Sequence, residues 1–434
     1  MRTTTKKLTA VAVGTLIVAG ACSSSKQSSS TATTTAGAAA TTAAPAAPST
    51  SVASKGTYTV GLLTDETGLA ASGNKSSVAG VQAGTVLASR DGYTIKYVVG
   101  DTTSSPAGAL AAAQKLVEQD HVSAVIAISS LAFSAAPFLT AHGIPVVGFA
   151  EDGPEWTTSS NMFSITGALH TNLVTTTYGQ FFKMEGVTNI GSLGYSISPA
   201  SAEAAKEAAE SAKAVGLKAG YVNASFPFGG TNVQPVALAM KSAGVDGETT
   251  ATDPNTAYAL ITALRQLGVN LKVALLPSGY GVDVLQAGPG ALQAAQNVYF
   301  YLGFEPVEMQ TAATKQFVSD LQAAGVSGEA ATEPAANTYS GYVSIGLLLQ
   351  GLDAAGANPT KASLISGLSG IHDFTALGLY GSHHLDVNDR QHIASGVDNC
   401  AWMAKLTGST FQLVAGADPI CGSLVPGVTV SPSS

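Results

Sequence analysis

The hydrophobic pattern of the chain alternates between two periods. Thr57–Leu63 reads as a strand, and Thr94–Asp101 as a second. Val122–Ser129 is a short, almost unbroken β-branched run, as expected of a parallel strand covered on both faces, and Ile144–Ala150 repeats that character. Between the second and third runs lies Pro106–Asp120, where Ala109, Leu110, Ala113, Leu116 and Val117 fall on one helical face. Ser104 or Ser105 can cap that helix, and Pro106 suits its first turn. A second series begins near residue 170. It places strands at Asn189–Tyr195, Lys218–Ser225, Leu271–Pro277 and Asn297–Phe304. Helices are predicted over Ser201–Val215, closed by Gly216, and over Thr256–Leu267, Thr311–Ala324 and Thr338–Ala355. Strand, helix, strand in sequence implies parallel βαβ units with right-handed crossovers. Two such series of similar length predict an α/β protein of two Rossmann-like lobes, although no sequence repeat links them.

The chain of 434 residues is long enough for two or three folding units. Hydrophobic residues make up 45%, much of it alanine, so a large core of small side chains is affordable in volume. Charged residues are only 11%, with a net charge of -8, which gives nucleic acid no basic face to bind. No apolar run reaches the ~18 residues of a membrane span.

The first residues read differently from the body. Arg2, Lys6 and Lys7 precede the weakly polar run Leu8–Ala21, which suits a signal peptide and is too short to cross a membrane. It ends Val18-Ala19-Gly20-Ala21-Cys22, which resembles a bacterial lipobox, with Ala19 where leucine is commonest. The resemblance implies cleavage after residue 21 and lipidation of Cys22. Residues 23–55 are Ser, Thr, Ala, Gly or Pro at all but Lys26, Gln27, Val52 and Lys55, the composition of a disordered linker. Cys400 and Cys421 are the only cysteines of the body. In an oxidising compartment they either pair or remain two separate buried thiols, which spacing alone does not decide.

Several short motifs occur in order along the body. Val60-Gly61-Leu62-Leu63 leads into Thr67-Gly68, Asp101 closes the second strand, and Lys115-Leu116-Val117 ends a helix. A strand then runs into Ser129-Ser130, and Gly143-Ile144-Pro145-Val146 leads to the loop Ala150–Trp156. Gly381–Arg390 is similar to a Gly-x-x-x-Phe-Asp-x-x-Gly-Asp segment, with Leu385 for Phe and Asp386 matching. In this order, over residues 57–415, the chain resembles the leucine/isoleucine/valine-binding group of type I solute-binding proteins. These are the extracytoplasmic receptors of ABC importers.

The resemblance implies lobe one at 57–168 plus 303–376, lobe two at 169–302 plus 377–421, a three-segment hinge and a tail at 422–434. The ligand would lie in the interlobe cleft, outside the carboxyl ends of the strands, and the closed form would meet the permease. It implies ligand contacts at Ser129, Ser130, Ala150, Glu151 and Asp152 from lobe one. Tyr195, Ser198 and Tyr280 would come from lobe two. Trp156, Phe133 and Phe228 either form an apolar wall or belong to the core. Two features depart from the amino acid binders. Asp152 stands where a threonine hydroxyl holds the ligand carboxylate, so it either points away or selects another ligand. Ser278-Gly279-Tyr280 has no acid for the ligand ammonium, Asp283 being the nearest.

His372, His383, His384 and His392 cluster with Asp373, Asp386 and Asp389, but in no known ligand spacing, and read as a solvated loop. There is no GxSxG elbow, P-loop or HExxH. The expected protein is therefore a monomeric, lipid-anchored receptor without cofactor or metal, working with an ABC permease and its ATPase at the outer leaflet of the cell membrane. A branched-chain or related amino acid is the first expected cargo. Amides, urea-like solutes and aromatic or other carboxylates are the alternatives, and a sensor or an exported enzyme are the other roles.

Overall fold

The computed structural model describes residues 52–432 except 168, 287–289, 393–395, 415 and 417. The signal segment, Cys22 and most of the linker lie outside the described residues. Strands β1 (Gly56–Thr64), β2 (Tyr93–Asp101), β3 (Ala124–Ile128), β4 (Val146–Gly148) and β5 (Met162–Ser164) form one parallel sheet in the order β2-β1-β3-β4-β5. The apolar run of β3 is buried at every position because helices cover both faces. A short strand β6 (Leu173–Thr175) follows.

The second sheet contains β7 (Asn189–Tyr195), β8 (Lys218–Phe226), β9 (Gly247–Ala251), β10 (Val273–Leu276) and β11 (Tyr299–Leu302). These five are parallel in the order β8-β7-β9-β10-β11, the same relative order as the first sheet. β12 (Cys400–Thr407) and β13 (Thr410–Val414) extend it antiparallel. The protein thus has the type I periplasmic-binding-protein architecture of two α/β lobes with parallel sheets. In each sheet the chain turns back at a switch point, β1/β3 in one and β7/β9 in the other. The carboxyl ends of these strands open a crevice suited to a ligand.

The helices follow local chemistry. Ser105 caps the helix Pro106–Glu118, its hydroxyl accepting from the Gly108 N–H at 3.0 Å. The helix predicted from Ser201 starts earlier, at Pro199, because Ser198 supplies the cap and accepts from the Ser201 N–H. The pattern does not predict the helix Ser77–Arg90, which packs closely on the helix Ala336–Ala355. A Cβ at Gly80 would fall 2.0 Å from the Thr338 carbonyl oxygen, and one at Gly341 2.4 Å from that of Ser77. Only glycine permits this backbone approach.

The return of the chain differs in detail from the expected boundary at 377. The Tyr380 hydroxyl donates to the Ile165 carbonyl, Arg390 donates to the carbonyls of Trp156 and Met162, and Asn388 to those of Leu368 and Ile371. Residues 380–390 therefore pack on the first lobe, and the chain reaches the second sheet only at β12. The tail is likewise built in. Cys400 and Cys421 face each other between β12 and β14 (Ile420–Cys421) and are joined by a disulfide. β15 (Leu424–Thr429) then pairs antiparallel with β6.

Candidate functional site

A cavity of about 290 Å³ lies between the facing carboxyl ends of the two sheets. The lobes meet around it. The Ser198 hydroxyl (3.0 Å) and the Ala200 N–H (3.3 Å) both donate to the Asp152 carbonyl. The Val282 N–H donates to the Glu333 carbonyl at 2.9 Å. These bonds join lobe two to lobe one, so the structure describes a closed arrangement.

The first lobe's contribution is organised by Asp65, which directly follows β1 and is fully buried. Its carboxylate accepts from Asn74 Nδ2 at 2.6 Å, from the Ser129 hydroxyl at 2.7 Å, from the Ser130 N–H at 3.0 Å, and from the Thr102 hydroxyl. Ser129 is therefore turned inward and spent on Asp65 and on the Leu131 N–H, away from the cavity wall. Ser130 does line the cavity, with its hydroxyl accepting from Asn74 at 3.0 Å. Asn337, on the helix Ala336–Ala355, donates to the Asn74 side-chain oxygen at 2.7 Å and also faces the cavity.

Ala150 and Glu151 line the cavity just beyond β4. The Ala150 N–H is held by the Ser164 hydroxyl. Oε1 of Glu151 is buried without a hydrogen-bond partner. Burial pushes its carboxyl up to about 8, the Asp65 charge adds to this, and the Asn337 amide opposes it. Asp152 turns away. It accepts from the Phe133 N–H and from the Trp156 indole N–H, and sits wholly within lobe one. Burial, then the charge of nearby Glu155, raises its pKa well above the usual carboxylate range. Only its backbone oxygen meets lobe two.

From lobe two, Tyr195 and Ser198 line the cavity. The Tyr195 hydroxyl donates to Asp253 and lies 2.8 Å from the Thr256 hydroxyl, at the capped start of the helix Pro254–Gln266. Tyr280 does not reach the cavity. It is buried against Phe300 and Phe411, and its hydroxyl donates to Glu308 at 2.6 Å. An acid on this side with an unpartnered oxygen is Asp283, 1% exposed and on the cavity wall, its Oδ1 free. Burial raises it well above the usual range, against the opposing Ser76 hydroxyl and Lys75 charge. Glu207, also on the wall, accepts from Thr175 and is pushed up to about 8 by burial.

Of the expected apolar wall, only Phe228 lines the cavity, edge-on to Tyr195 at 5.1 Å. Trp156 is fully buried in lobe one, and Phe133 is not on the wall. Phe149, Tyr178, Tyr301, Phe304 and Tyr339 supply the other rings. The four clustered histidines do not converge: His372, His383, His384 and His392 each pair with a different aspartate. His383 also approaches Cys400 and Cys421, but those sulfurs are bonded to each other.

The family model described as "Periplasmic binding protein" matches residues 57–410. No curated protein matches the chain. Solved structures resemble it at low identity. One is a leucine-binding protein, LivK, from Thermotoga maritima, with 16% identity, TM-score 0.68, and coverage of 84% of this chain and 99% of that one. Another is a solute-binding protein of an ABC transporter from R. palustris in complex with 4-hydroxybenzoate, at 16% identity, TM-score 0.68, and coverage of 84% and 97%. A third is the branched-chain amino acid transporter substrate-binding protein LivJ from Streptococcus pneumoniae with isoleucine, at 19% identity, TM-score 0.67, and coverage of 82% and 99%.

Proposed function

The chain belongs to the periplasmic binding protein family, and from that premise we propose that it is an extracytoplasmic receptor for a small solute. It captures the solute between its lobes and presents the closed form to an ABC permease. The observation that carries this reading is the cavity of about 290 Å³ at the facing switch points of two sheets, ringed by aromatic side chains. Its volume suits a solute of the size named in the similar structures, leucine, isoleucine or 4-hydroxybenzoate. In this reading Cys22 carries the lipid, residues 23–55 are the tether, and the body works as a monomer beside the permease and its ATPase.

The latch at Ser198, Ala200 and Asp152 supports a hinge-bending cycle. Bonds between lobes are cheap to make and break individually, about 1 kcal/mol each, so a bound solute can decide whether the closed form persists. The test is thermal unfolding and small-angle scattering of the refolded, solute-free protein against a panel of amino acids, amides, amines and small carboxylates. A solute at a thousand times its Kd stabilises the folded form by about 4 kcal/mol. A rise in Tm with a fall in radius of gyration supports the proposal. A rise in Tm with turnover of the solute would point to an enzyme instead, and no response from a folded protein to any panel member would count against a receptor for these classes.

A further inference from the structure

We propose that the solute of this cavity is a small organic cation, an ammonium compound without a carboxylate. The inference rests on the receptor reading above and narrows its cargo.

The argument begins with charge. The cavity wall carries Glu151, Glu207, Asp253 and Asp283, and no lysine, arginine or histidine among the described residues. Asp253 is satisfied by the Asn255 and Thr256 N–H groups, the Tyr195 hydroxyl and the Thr256 hydroxyl. Glu207 is served by Thr175. Glu151 and Asp283 are only partly satisfied, by the Asn337 amide and the Ser76 hydroxyl. One carboxylate oxygen of each is buried without a hydrogen-bond partner, Glu151 from lobe one and Asp283 from lobe two. A buried carboxylate oxygen in this condition requires a proton or a donor.

A ligand carboxylate would find the donors grouped at the carboxyl end of β3 taken. The Ser130 N–H, the Ser129 hydroxyl and the Asn74 amide already hold the carboxylate of Asp65. Asp65 thus fills from within the place where such donors would hold an anion. A second carboxylate beside it and beside Glu151 would be repelled. An ammonium group instead supplies the donor that the free Glu151 oxygen lacks, and the rings on the wall, Phe149, Phe228, Tyr301 and Phe304, offer apolar area and faces that attract cations.

The surroundings of both acids set the pH behaviour. Asp65 and the Asn337 amide face Glu151. Lys75, Ser76 and Tyr258 face Asp283, and Lys75 is not part of the cavity wall. Glu151 must lose its proton to pair with an ammonium, so amine binding releases protons. Affinity then rises about tenfold per pH unit below the pKa of a single such acid. A carboxylate ligand would do the reverse, because it binds the protonated acids and loses affinity as pH rises.

Two matched pairs of probes separate these outcomes: leucine with isoamylamine, and 4-hydroxybenzoate with 4-hydroxybenzylamine. Each amine retains the hydrocarbon or ring portion of its partner. The solute-free protein is titrated calorimetrically with all four at pH 6, 7 and 8.5, up to 10 mM. The proposal predicts that at least one amine binds, at least tenfold more tightly at pH 8.5 than at pH 6, while neither carboxylate binds. Glu151→Gln should weaken the amine at least tenfold and reduce the pH dependence to the part that Asp283 contributes. Binding of leucine or 4-hydroxybenzoate with silence from both amines overturns the cation assignment and leaves the receptor reading standing. Silence from all four at 10 mM also overturns it. Only if the wider panel of amides and other solutes is silent too does the receptor reading fall with it.

Discussion

Replacing Asp65 with alanine tests whether that buried carboxylate organises the first lobe's half of the site. Four donors converge on it, at 2.6 Å from Asn74, 2.7 Å from Ser129 and 3.0 Å from the Ser130 N–H, with Thr102 as the fourth. Hydroxyls can rotate to other acceptors, and Asn74 keeps its bond to the Ser130 hydroxyl. The Ser130 N–H cannot turn, because the backbone fixes it. An orphaned buried donor costs about 1–3 kcal/mol. Against this, the variant no longer buries a charge, which itself costs several kcal/mol per ion before pairing. Four hydrogen bonds to a charged acceptor, about 1.5–3 kcal/mol each, outweigh that relief, and the net expectation is a loss of about 2–4 kcal/mol. In a lobe of roughly 200 residues each kcal/mol moves Tm by about 2–4 °C, so Asp65→Ala should melt about 5–10 °C lower by calorimetry.

The chemistry of the hole gives a sharper readout. Alanine keeps Cβ, so the space left behind has the size of a carboxylate alone. Formate at tens of millimolar should therefore restore several degrees to the variant and nothing to the parent. Acetate should do less, because its methyl would meet the alanine Cβ. A variant melting within 2 °C of the parent and indifferent to formate would refute the assignment of Asp65 as the centre of this network.

Further outcomes follow from other parts of the structure. Gly80→Ala gains helix propensity of about 1 kcal/mol, yet its Cβ would sit 2.0 Å from the Thr338 oxygen, so chemical denaturation should show a net loss of about 1–3 kcal/mol from forcing the helices apart. Cys400→Ser removes a disulfide of sequence separation 21; the loop-closure term predicts a loss of about 3 kcal/mol, matched by adding reductant to the parent and absent when reductant is added to the variant. Glu248 is buried in the middle of the second sheet with both oxygens unpartnered, and burial pushes it up to about 8 against the opposing charge of Arg265. The folded form then holds a proton that the unfolded form, titrating near about 4.3, has lost, so stability falls as pH rises between those values. Glu248→Gln should flatten that decline, gaining on the order of 2–4 kcal/mol relative to the parent between pH 5 and pH 8 in urea unfolding; equal pH slopes in both proteins would contradict this.

How much of this was legible in the sequence depended on contrast. β3 and the helix Pro106–Glu118 were plain, because one is apolar throughout and the other has a cap, a proline and a clean apolar face. The helix Ser77–Arg90 was not, because its glycines serve close packing on a partner more than 250 residues away and dilute its periodicity. β9, with sequence GETTA, is buried but polar, and only its central place in the sheet makes it a strand. At the site, strand ends were readable, so Ser130, Ala150, Glu151, Tyr195 and Ser198 fall on the cavity wall. What a side chain does at a strand end was not readable. Ser129 and Asp152 face inward, and Tyr280 fills a core, because each meets partners distant in sequence. Asp65 could have been suspected from its place directly after β1. Asn337 offered no local signal, since its role comes from its place in the first turn of the helix Ala336–Ala355.

The central claim is that one small solute occupies the space between the lobes. Native mass spectrometry of the parent and of Ala204→Trp, each loaded with the paired amines and acids, tests it most directly. Ala204 lies on the cavity wall, half-buried, and an indole there would add its bulk to that wall. The account predicts one bound solute per chain in the parent and none in the variant, with unchanged secondary structure by circular dichroism. Equal loading of parent and variant would place the solute elsewhere and contradict the account.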